Sequence, residues 1–272
     1  MQISFIGGGN MAKAIIGGLK TNGFAMQAMT VIEPETDKRA QLSAQFGVQN
    51  ADTYVEKMDS KTAGEIILLA VKPQQLRAVC QQLAPKLSSQ LVISIAAGIR
   101  TTDISRWLNG HAAIVRVMPN TPAQIQAGVS ALYAMPNVTA EQRAQANQVL
   151  SAVGLTLWLD DEAKMDVITA ISGSGPAYVF YFMEALAEAA VALGLQPEEA
   201  NQLALETFAG ASLLAKNSAE NVKTLRAQVT SKGGTTEQGI LALEAGNIKN
   251  IVLQAATAAA EKSRALGDTL AE

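Results

Sequence analysis

The chain has 272 residues, a formal net charge of -3 at pH 7 and a sequence pI near 5.4. This length suits one large domain or two smaller ones with a substantial core, and the acidic balance argues against a nucleic-acid partner, because following phosphates requires clustered Lys and Arg. Cys80 and His111 are the only cysteine and histidine, which excludes an internal disulfide and predicts no metal site.

Short apolar runs alternate with helix-compatible segments from the start of the chain to about Leu159. The longest of these runs, Ile66–Val71, is far shorter than the roughly 20 residues of a membrane helix, so we expect a cytoplasmic protein. Strand–helix alternation predicts an α/β fold with a Rossmann-type, doubly wound, mainly parallel sheet. The predicted strands are QISFIG, MTVIE, EIILLAV, LVISIA, AIVRVM, GVSALYA and LTLWL.

The first strand runs into the glycine-rich segment FIGGGNMAKA. Gly7, Gly9 and Ala12 have the G-x-G-x-x-A spacing, in which the first glycine permits a tight turn, the second admits a pyrophosphate and the alanine allows close helix–sheet packing. A helix predicted over Asn10–Asn22 would present its free N–H groups to the phosphates. The segment therefore predicts a dinucleotide site.

The second predicted strand ends at Glu33, where an acidic side chain suits the ribose hydroxyls of NAD. Lys38 and Arg39 follow within a helix predicted over Thr36–Phe46, and they could instead meet the 2′-phosphate of NADPH. The sequence leaves the choice between NADPH and NADH open.

Three later segments begin where predicted strands end: VKP (Val71–Pro73), AAG (Ala96–Gly98) and MPNTP (Met118–Pro122). Ligands of such sheets lie outside the carboxyl ends of the strands, so these segments are expected to line the cofactor. His111 precedes its strand, on the opposite edge, and is a poor catalytic candidate.

Strand patterns stop near Asp160, which predicts a dinucleotide-binding domain over residues 1–160 and an all-α domain over residues 161–272. Asp160 and Asp161 are candidate caps for a helix near Glu162, Pro197 marks another helix start, and Gly246 with Asn247 marks a stop followed by a new start.

Tyr178–Leu193 is apolar on nearly all sides and is broken only by Glu184 and Glu188. A helix of this kind must be covered over most of its circumference. We therefore expect the helical domain to form a homodimer, although a place inside its own bundle is the alternative.

SGSGPAY and TSKGGTTEQGI both place hydroxyl residues and glycines directly before a helix. Thr235 or Thr236 is a candidate cap of the second helix. Two such segments favour an anion site on backbone N–H groups, and a carboxylate is the expected anion because no Arg or Lys pair stands nearby.

The chain thus combines a nicotinamide site and a carboxylate site with few acid–base groups. Reduction of a ketone needs a positioned proton donor. A protonated imine already carries its proton and needs chiefly orientation and a dry site.

The blocks FIGGGNMAKAI, AVKPQ, SIAAG, RVMPNTPA, SGSGPAYVF and VTSKGGTTEQGILALE, in this order, resemble those of the pyrroline-5-carboxylate reductase family over essentially the whole chain. The resemblance implies hydride transfer from NADPH or NADH to the C=N bond of 1-pyrroline-5-carboxylate, giving L-proline in the last step of its synthesis. It implies that Thr236 is the catalytic hydroxyl at the ring nitrogen and that Ser231, Gly234 and Thr235 also bind the substrate. It implies dimers of the helical domain, often assembled further into larger homo-oligomers. It also implies the following cofactor contacts: Ile6, Gly7, Gly8, Gly9, Asn10, Met11, Val71, Lys72, Pro73, Ala96, Ala97, Asn120 and Glu162.

Two other functions remain open from the residues alone. A β-hydroxyacid-type dehydrogenase would share the two-domain architecture and would need an acid–base lysine, for which Lys164 is the nearest candidate. A nucleotide-sensing protein without turnover would use TSKGGTT only as a turn.

Overall fold

The computed structural model of the chain describes residues 1–51 and 65–271. It divides into two compact units, the first formed by Met1–Ser174 with Ala258–Glu272 and the second by Gly175–Thr257. The predicted boundary at residue 160 marks the end of the strands, whereas the first unit continues to Ser174. It does so because Met165 and Ala170, which follow the last strand, are buried in this unit.

The first unit is built on one eight-stranded sheet with the order β3-β2-β1-β4-β5-β6-β7-β8. Every neighbouring pair is parallel except β6 and β7, which are antiparallel. The predicted mainly parallel sheet is confirmed, and all seven predicted strands are present; β3 was not predicted. The strands are β1 Ile3–Ile6, β2 Met29–Ile32, β3 Gln49–Ala51, β4 Ile66–Leu69, β5 Leu91–Ser94, β6 Ile114–Met118, β7 Gly128–Ala134 and β8 Gly154–Trp158.

The central strands are apolar throughout because both faces of the sheet are covered. Successive side chains of a strand point to opposite faces. Ile66 and Leu68 of β4 accordingly join one core cluster, whereas Ile67 and Leu69 join the other. The two tryptophans divide in the same way, with Trp107 in the second cluster and Trp158 packed against the first.

Six helices of the described residues belong entirely to the first unit. Most follow a strand directly, so that their first turns lie at the carboxyl edge of the sheet. Thr139 closes a capping box with Gln142 at the start of α5, which satisfies two helix-end donors. The helices are α1 Asn10–Thr21, α2 Thr36–Phe46, α3 Pro73–Leu83, α4 Thr101–Trp107, α5 Ala140–Ser151 and α6 Lys164–Ile168.

The second unit contains helices only, and the last of them continues into the first unit. The predicted start at Pro197 is confirmed, with Gln196 and Glu199 forming a capping box. The predicted stop at Gly246 is also found. No helix of the described residues is long and apolar enough to cross a membrane. The remaining helices are α7 Gly175–Ala192, α8 Pro197–Asn217, α9 Val222–Gln228, α10 Thr235–Ala245 and α11 Ile248–Ala271.

The helices of the second unit bury little of their apolar surface within the single chain. The buried cluster at α7 and α8 consists of Ala187, Ala200 and Ala204. By contrast, the apolar ring of Phe180 on α7 is 63% exposed and Tyr181 is 69% exposed. Contiguous exposed apolar surface of this kind marks a protein interface.

Candidate functional site

The glycine-rich turn after β1 is closed tightly against the neighbouring strands. The N–H of Gly7 donates to the carbonyl oxygen of Ile32 at 2.8 Å. Gly7 has a φ of +94°, and a Cβ there would lie 2.7 Å from the carbonyl oxygen of Ala70. Only glycine combines this dihedral angle with so close an approach.

Gly9 fits the predicted pyrophosphate. It is exposed, it forms the N-cap of α1, and an added Cβ would meet no atom within 4 Å in the part of the chain that the structure describes. The first turn of α1, beginning at Asn10 and Met11, therefore presents its N–H groups at an open surface, where the helix dipole favours an anion.

The loops after β4 and β5 follow two strands on the same side of β1, with β4 beside β1 and β5 beside β4. Lys72 is the exposed N-cap of α3, and Pro73 occupies its first turn. Ala96 is buried while Ala97 is exposed. Because β1, β4 and β5 are adjacent and parallel, the predicted contacts from Ile6 to Met11, from Val71 to Pro73 and at Ala96 and Ala97 lie along one edge. The strand order reverses direction at β1 and β4, which is where such sheets bind nucleotides.

Asn120 follows β6 and is held by both ends of its amide. Its Oδ1 accepts a hydrogen bond from the N–H of Val129 at 2.9 Å, and its Nδ2 donates to Ser172 Oγ at 3.3 Å. Ser172 belongs to a π-helical turn over Thr169–Gly173. Asn120 thus fixes the path of the chain at the rim, and the contribution of Ser172 was not predicted.

Glu162 lies at the same rim and is engaged by three protein donors. Its Oε1 accepts from the N–H of Thr101 at 2.8 Å and from Arg116 Nη1 at 3.0 Å, and its Oε2 accepts from Thr101 Oγ1 at 2.7 Å. The Glu162 side chain is 17% exposed and that of Arg116 is 6% exposed. Thr101 and Arg116 were not predicted, although a cation within a buried strand signals a carboxylate partner.

Glu33 is 6% exposed and also binds backbone. Its Oε2 accepts from the N–H of Gly8 at 2.9 Å and its Oε1 from the N–H of Glu35 at 3.0 Å. The two basic residues nearby have partners too: Lys38 pairs with Glu35, and Arg39 Nη1 donates to the carbonyl oxygens of Glu33 and Pro34, each at 2.7 Å. The carboxylate of Glu33 thus lies directly under the glycine turn.

The second glycine-rich segment lies in the second unit and forms a turn before α10. The N–H of Gly234 donates to the carbonyl oxygen of Ser231 at 3.0 Å, and Gly233 has a φ of +75°. Gly234 is the N-cap and has no side-chain hydrogen bond. The prediction that Thr235 or Thr236 caps this helix is wrong, because the extended residue is Gly234 and both threonines lie within the first helical turn.

Thr236 is exposed, and its hydroxyl has no protein partner among the residues that the structure describes. Glu237, which was not predicted, accepts a hydrogen bond from the N–H of Gly233 at 2.7 Å through Oε2. Its place in the first turn is the usual one for a carboxylate that reaches back over a helix start. The segment therefore presents a free hydroxyl beside a turn that is held by backbone and by Glu237.

Neither Lys164, the acid–base candidate of the alternative dehydrogenase, nor His111 is placed for such a role. Lys164 Nζ is paired with Asp160 on the surface, and this hydrogen bond raises the pKa of the ammonium group, which opposes its use as a neutral base. His111 Nε2 lies 2.9 Å from the carbonyl oxygen of Gln90, before β6, and burial lowers its pKa.

Comparison with known proteins covers both units. A family model described as pyrroline-5-carboxylate reductase dimerisation matches residues 162–266, and one described as NADP oxidoreductase, coenzyme F420-dependent, matches residues 2–98. The pyrroline-5-carboxylate reductase of Pseudomonas aeruginosa is 43% identical over 272 residues, covering 100% of this chain and 98% of the relative.

Two solved structures are similar over nearly their whole lengths. A pyrroline-5-carboxylate reductase from Coxiella burnetii has a TM-score of 0.90 and 42% identity, covering 97% of this chain and 98% of its own. The Plasmodium falciparum pyrroline carboxylate reductase with NADP bound has a TM-score of 0.85 and 31% identity, with 98% of each chain covered.

Proposed function

Because the chain belongs to the pyrroline-5-carboxylate reductase family, we propose that it reduces 1-pyrroline-5-carboxylate to L-proline with a nicotinamide dinucleotide. The observation that carries this proposal is that the likeness extends over both units, and so includes the dinucleotide turn and the late glycine segment. When bound, the reduced cofactor supplies the hydride for the C=N carbon.

The first unit would hold the cofactor on backbone and small side chains. The turn Gly7–Gly9 would bring the pyrophosphate to the start of α1, where Gly9 and Asn10 are exposed and a Cβ on Gly9 would meet none of the described atoms within 4 Å. The N–H groups of Gly7 and Gly8 are donated to Ile32 and Glu33 and shape the turn. The dinucleotide would be lined by Val71–Pro73, Ala96, Ala97 and Asn120. The two hydrogen bonds of the Asn120 amide keep the loop after β6 in place. In this proposal the carboxylate of Glu162 lies near the nicotinamide, and its hydrogen bonds with Thr101 and Arg116 hold it in place.

The second unit would hold the substrate carboxylate on the amides around Ser231, Gly234 and Thr235. The glycine turn is already shaped by its own hydrogen bonds, so little ordering is needed on binding. The Thr236 hydroxyl would hydrogen-bond the ring nitrogen and orient the C=N bond. Since the protonated imine becomes the product amine by accepting hydride at its carbon, the protein has to orient the ring and does not have to deliver a proton to the nitrogen.

Turnover is tested by following the loss of NADH or NADPH absorbance with 1-pyrroline-5-carboxylate. We expect Thr236→Ala to lower kcat by roughly tenfold to a hundredfold, the effect of one lost hydrogen bond of about 1–3 kcal/mol, with the Kd of the cofactor unchanged. Thr236→Ser should retain most activity because it keeps the hydroxyl. Thr257→Ala, whose hydroxyl only bonds Leu253 within its own helix, is the matched control. Folded, cofactor-binding protein that leaves the imine unreduced would falsify the proposal.

We further propose NADH as the better cofactor. The support is the carboxylate of Glu33 at the end of β2, which is bonded to the glycine turn, together with the commitment of Lys38 and Arg39 to local acceptors. A 2′-phosphate brought to this place would meet a negative charge.

The assembly we propose is a homodimer formed through the exposed apolar helices of the second unit.

A further inference from the structure

The last helix contributes its second half to the first unit. Residues 258–271 of α11 belong to the sheet unit, although the helix begins within the helical one. Ser263 and Gly267 are the buried residues of this helix. Ser263 Oγ donates to Asp166 Oδ1 at 2.7 Å, and Leu270 packs against the second core cluster. This half of α11 is therefore an integral part of the sheet unit.

The helix meets the loop after β5 backbone to backbone. Gly98 has a φ of +82°, and a Cβ on it would lie 3.3 Å from the amide nitrogen of Gly267. A Cβ on Gly267 would overlap the carbonyl oxygen of Gly98. Neither glycine can be replaced without separating helix and loop, so the two backbones hold each other in place.

Charged and polar contacts continue this attachment beyond the loop. Arg100, two residues after Gly98, forms an ion pair with Asp268. Six residues later, within α4, Arg106 donates to the carbonyl oxygen of Ala271, the last residue of α11. The segment from Gly98 to Arg106 is thus bound to α11 at three points, directly after the two alanines assigned to the cofactor.

We propose that the C-terminal half of α11 sets the position of the Ala96–Gly98 loop for the nicotinamide dinucleotide, with Gly267 and Asp268 as positioning residues. The inference rests on the proposed function, because it takes Ala96 and Ala97 as cofactor contacts. Displacement of α11 by a fraction of an ångström moves Gly98 and, with it, the exposed Ala97. Gly267 and Asp268 then act on cofactor affinity through the loop, while the late glycine segment is left unchanged.

Gly267→Ala is the direct test, measured by calorimetric titration of the variant with NADH and NADPH. We expect the cofactor Kd and KM to rise about tenfold, the cost of one overpacked methyl group, while KM for the imino acid changes by less than about twofold. Gly17→Ala is the matched control. Gly17 lies in α1 of the same unit, and its added Cβ would make an ordinary contact at 3.5 Å with Phe46 of α2. Unchanged Kd in folded Gly267→Ala overturns the inference.

If Gly267→Ala does not fold, the positioning role is tested by exchanging the charges of the ion pair between Arg100 and Asp268. Arg100→Asp and Asp268→Arg should each raise the cofactor Kd about threefold, the effect of a lost exposed ion pair plus like-charge repulsion. The double exchange should restore most of the affinity, which general destabilisation of the unit would not do. Single variants with wild-type Kd, or a double variant no better than the singles, contradict the positioning role. A wild-type protein that binds neither cofactor overturns the proposed function and this inference together.

Discussion

At the scale of single residues, carboxylates in this protein hold turns that are themselves proposed to bind anions. Glu33 accepts the N–H of Gly8 under the dinucleotide turn, and Glu237 accepts the N–H of Gly233 under the late glycine turn. Each takes up one amide that would otherwise attract the ligand, and each fixes the loop geometry in return. For Glu33 the negative charge also lies where the ribose is expected.

Glu33→Gln should therefore change the choice of cofactor. We expect the ratio of kcat/KM with NADPH to kcat/KM with NADH to rise roughly tenfold, because the repulsion of a 2′-phosphate disappears. The amide oxygen can still accept one of the two N–H groups, that of Gly8, which keeps the glycine turn attached to β2. Steady-state kinetics with both cofactors measures the ratio. Glu65→Gln, at the opposite edge of the sheet and 58% exposed, makes the same change in net charge and should leave the ratio unaltered. If the ratio rises equally in both variants, the effect comes from net charge and the location of Glu33 beside the glycine turn does not determine the choice of cofactor.

At the scale of elements, Glu162 joins three parts of the sheet unit. It precedes α6, bonds the first residue of α4 through Thr101, and pairs with Arg116 inside β6. Buried ion pairs contribute modestly as pairs, but the loss of one partner leaves a desolvated charge without compensation. Glu162 thus holds the arrangement of these three elements.

Glu162→Ala should lower the free energy of unfolding by about 3 kcal/mol, since Arg116 would remain buried without its partner. Chemical denaturation monitored by circular dichroism measures the change. Asp160→Asn is the control, because its ion pair with Lys164 lies two residues away on the surface, and we expect no measurable shift in the denaturation midpoint. Equal stability of Glu162→Ala and the native protein would show that Arg116 finds another acceptor.

The strands, most helix starts and the glycine turns could be predicted from the sequence, because local periodicity and turn chemistry determine them. β3 could not, since Gln49–Ala51 is short and largely polar and becomes a strand only by pairing with β2. The partners of Glu162 are 46 and 61 residues away, and no local pattern connects them. The attachment of α11 to Gly98 is likewise visible only in three dimensions.

At the scale of the whole molecule, the chain leaves large apolar side chains uncovered on the helical unit. Burial of one such side chain contributes about 1.5–3 kcal/mol, so covering several of them in a second copy would stabilise a dimer strongly. The sequence of Tyr178–Leu193, which is apolar on nearly all sides, led us to expect a second subunit, and side chains of this segment are among the exposed ones. The described residues of the single chain offer no cover for Phe180 and Tyr181.

Phe180→Asp should therefore weaken self-association. We expect the sedimentation-derived mass to fall from that of a dimer or larger assembly toward that of one chain at low micromolar concentration, because a charge would have to be desolvated at the interface. Ile125→Asp introduces the same charge at an exposed apolar residue of the sheet unit and should preserve the native mass. If Phe180→Asp sediments as the native protein does, α7 is not the contact.

The positions of the two tryptophans give the molecule a built-in optical asymmetry. Both indoles belong to the sheet unit, on opposite faces of the sheet, while the helical unit carries none. Intrinsic emission excited at the indole band therefore reports on the sheet unit alone, whereas far-ultraviolet ellipticity averages over both units. A denaturation curve recorded with each signal on the same sample would separate the melting of the nucleotide-binding half from that of the helices without any label.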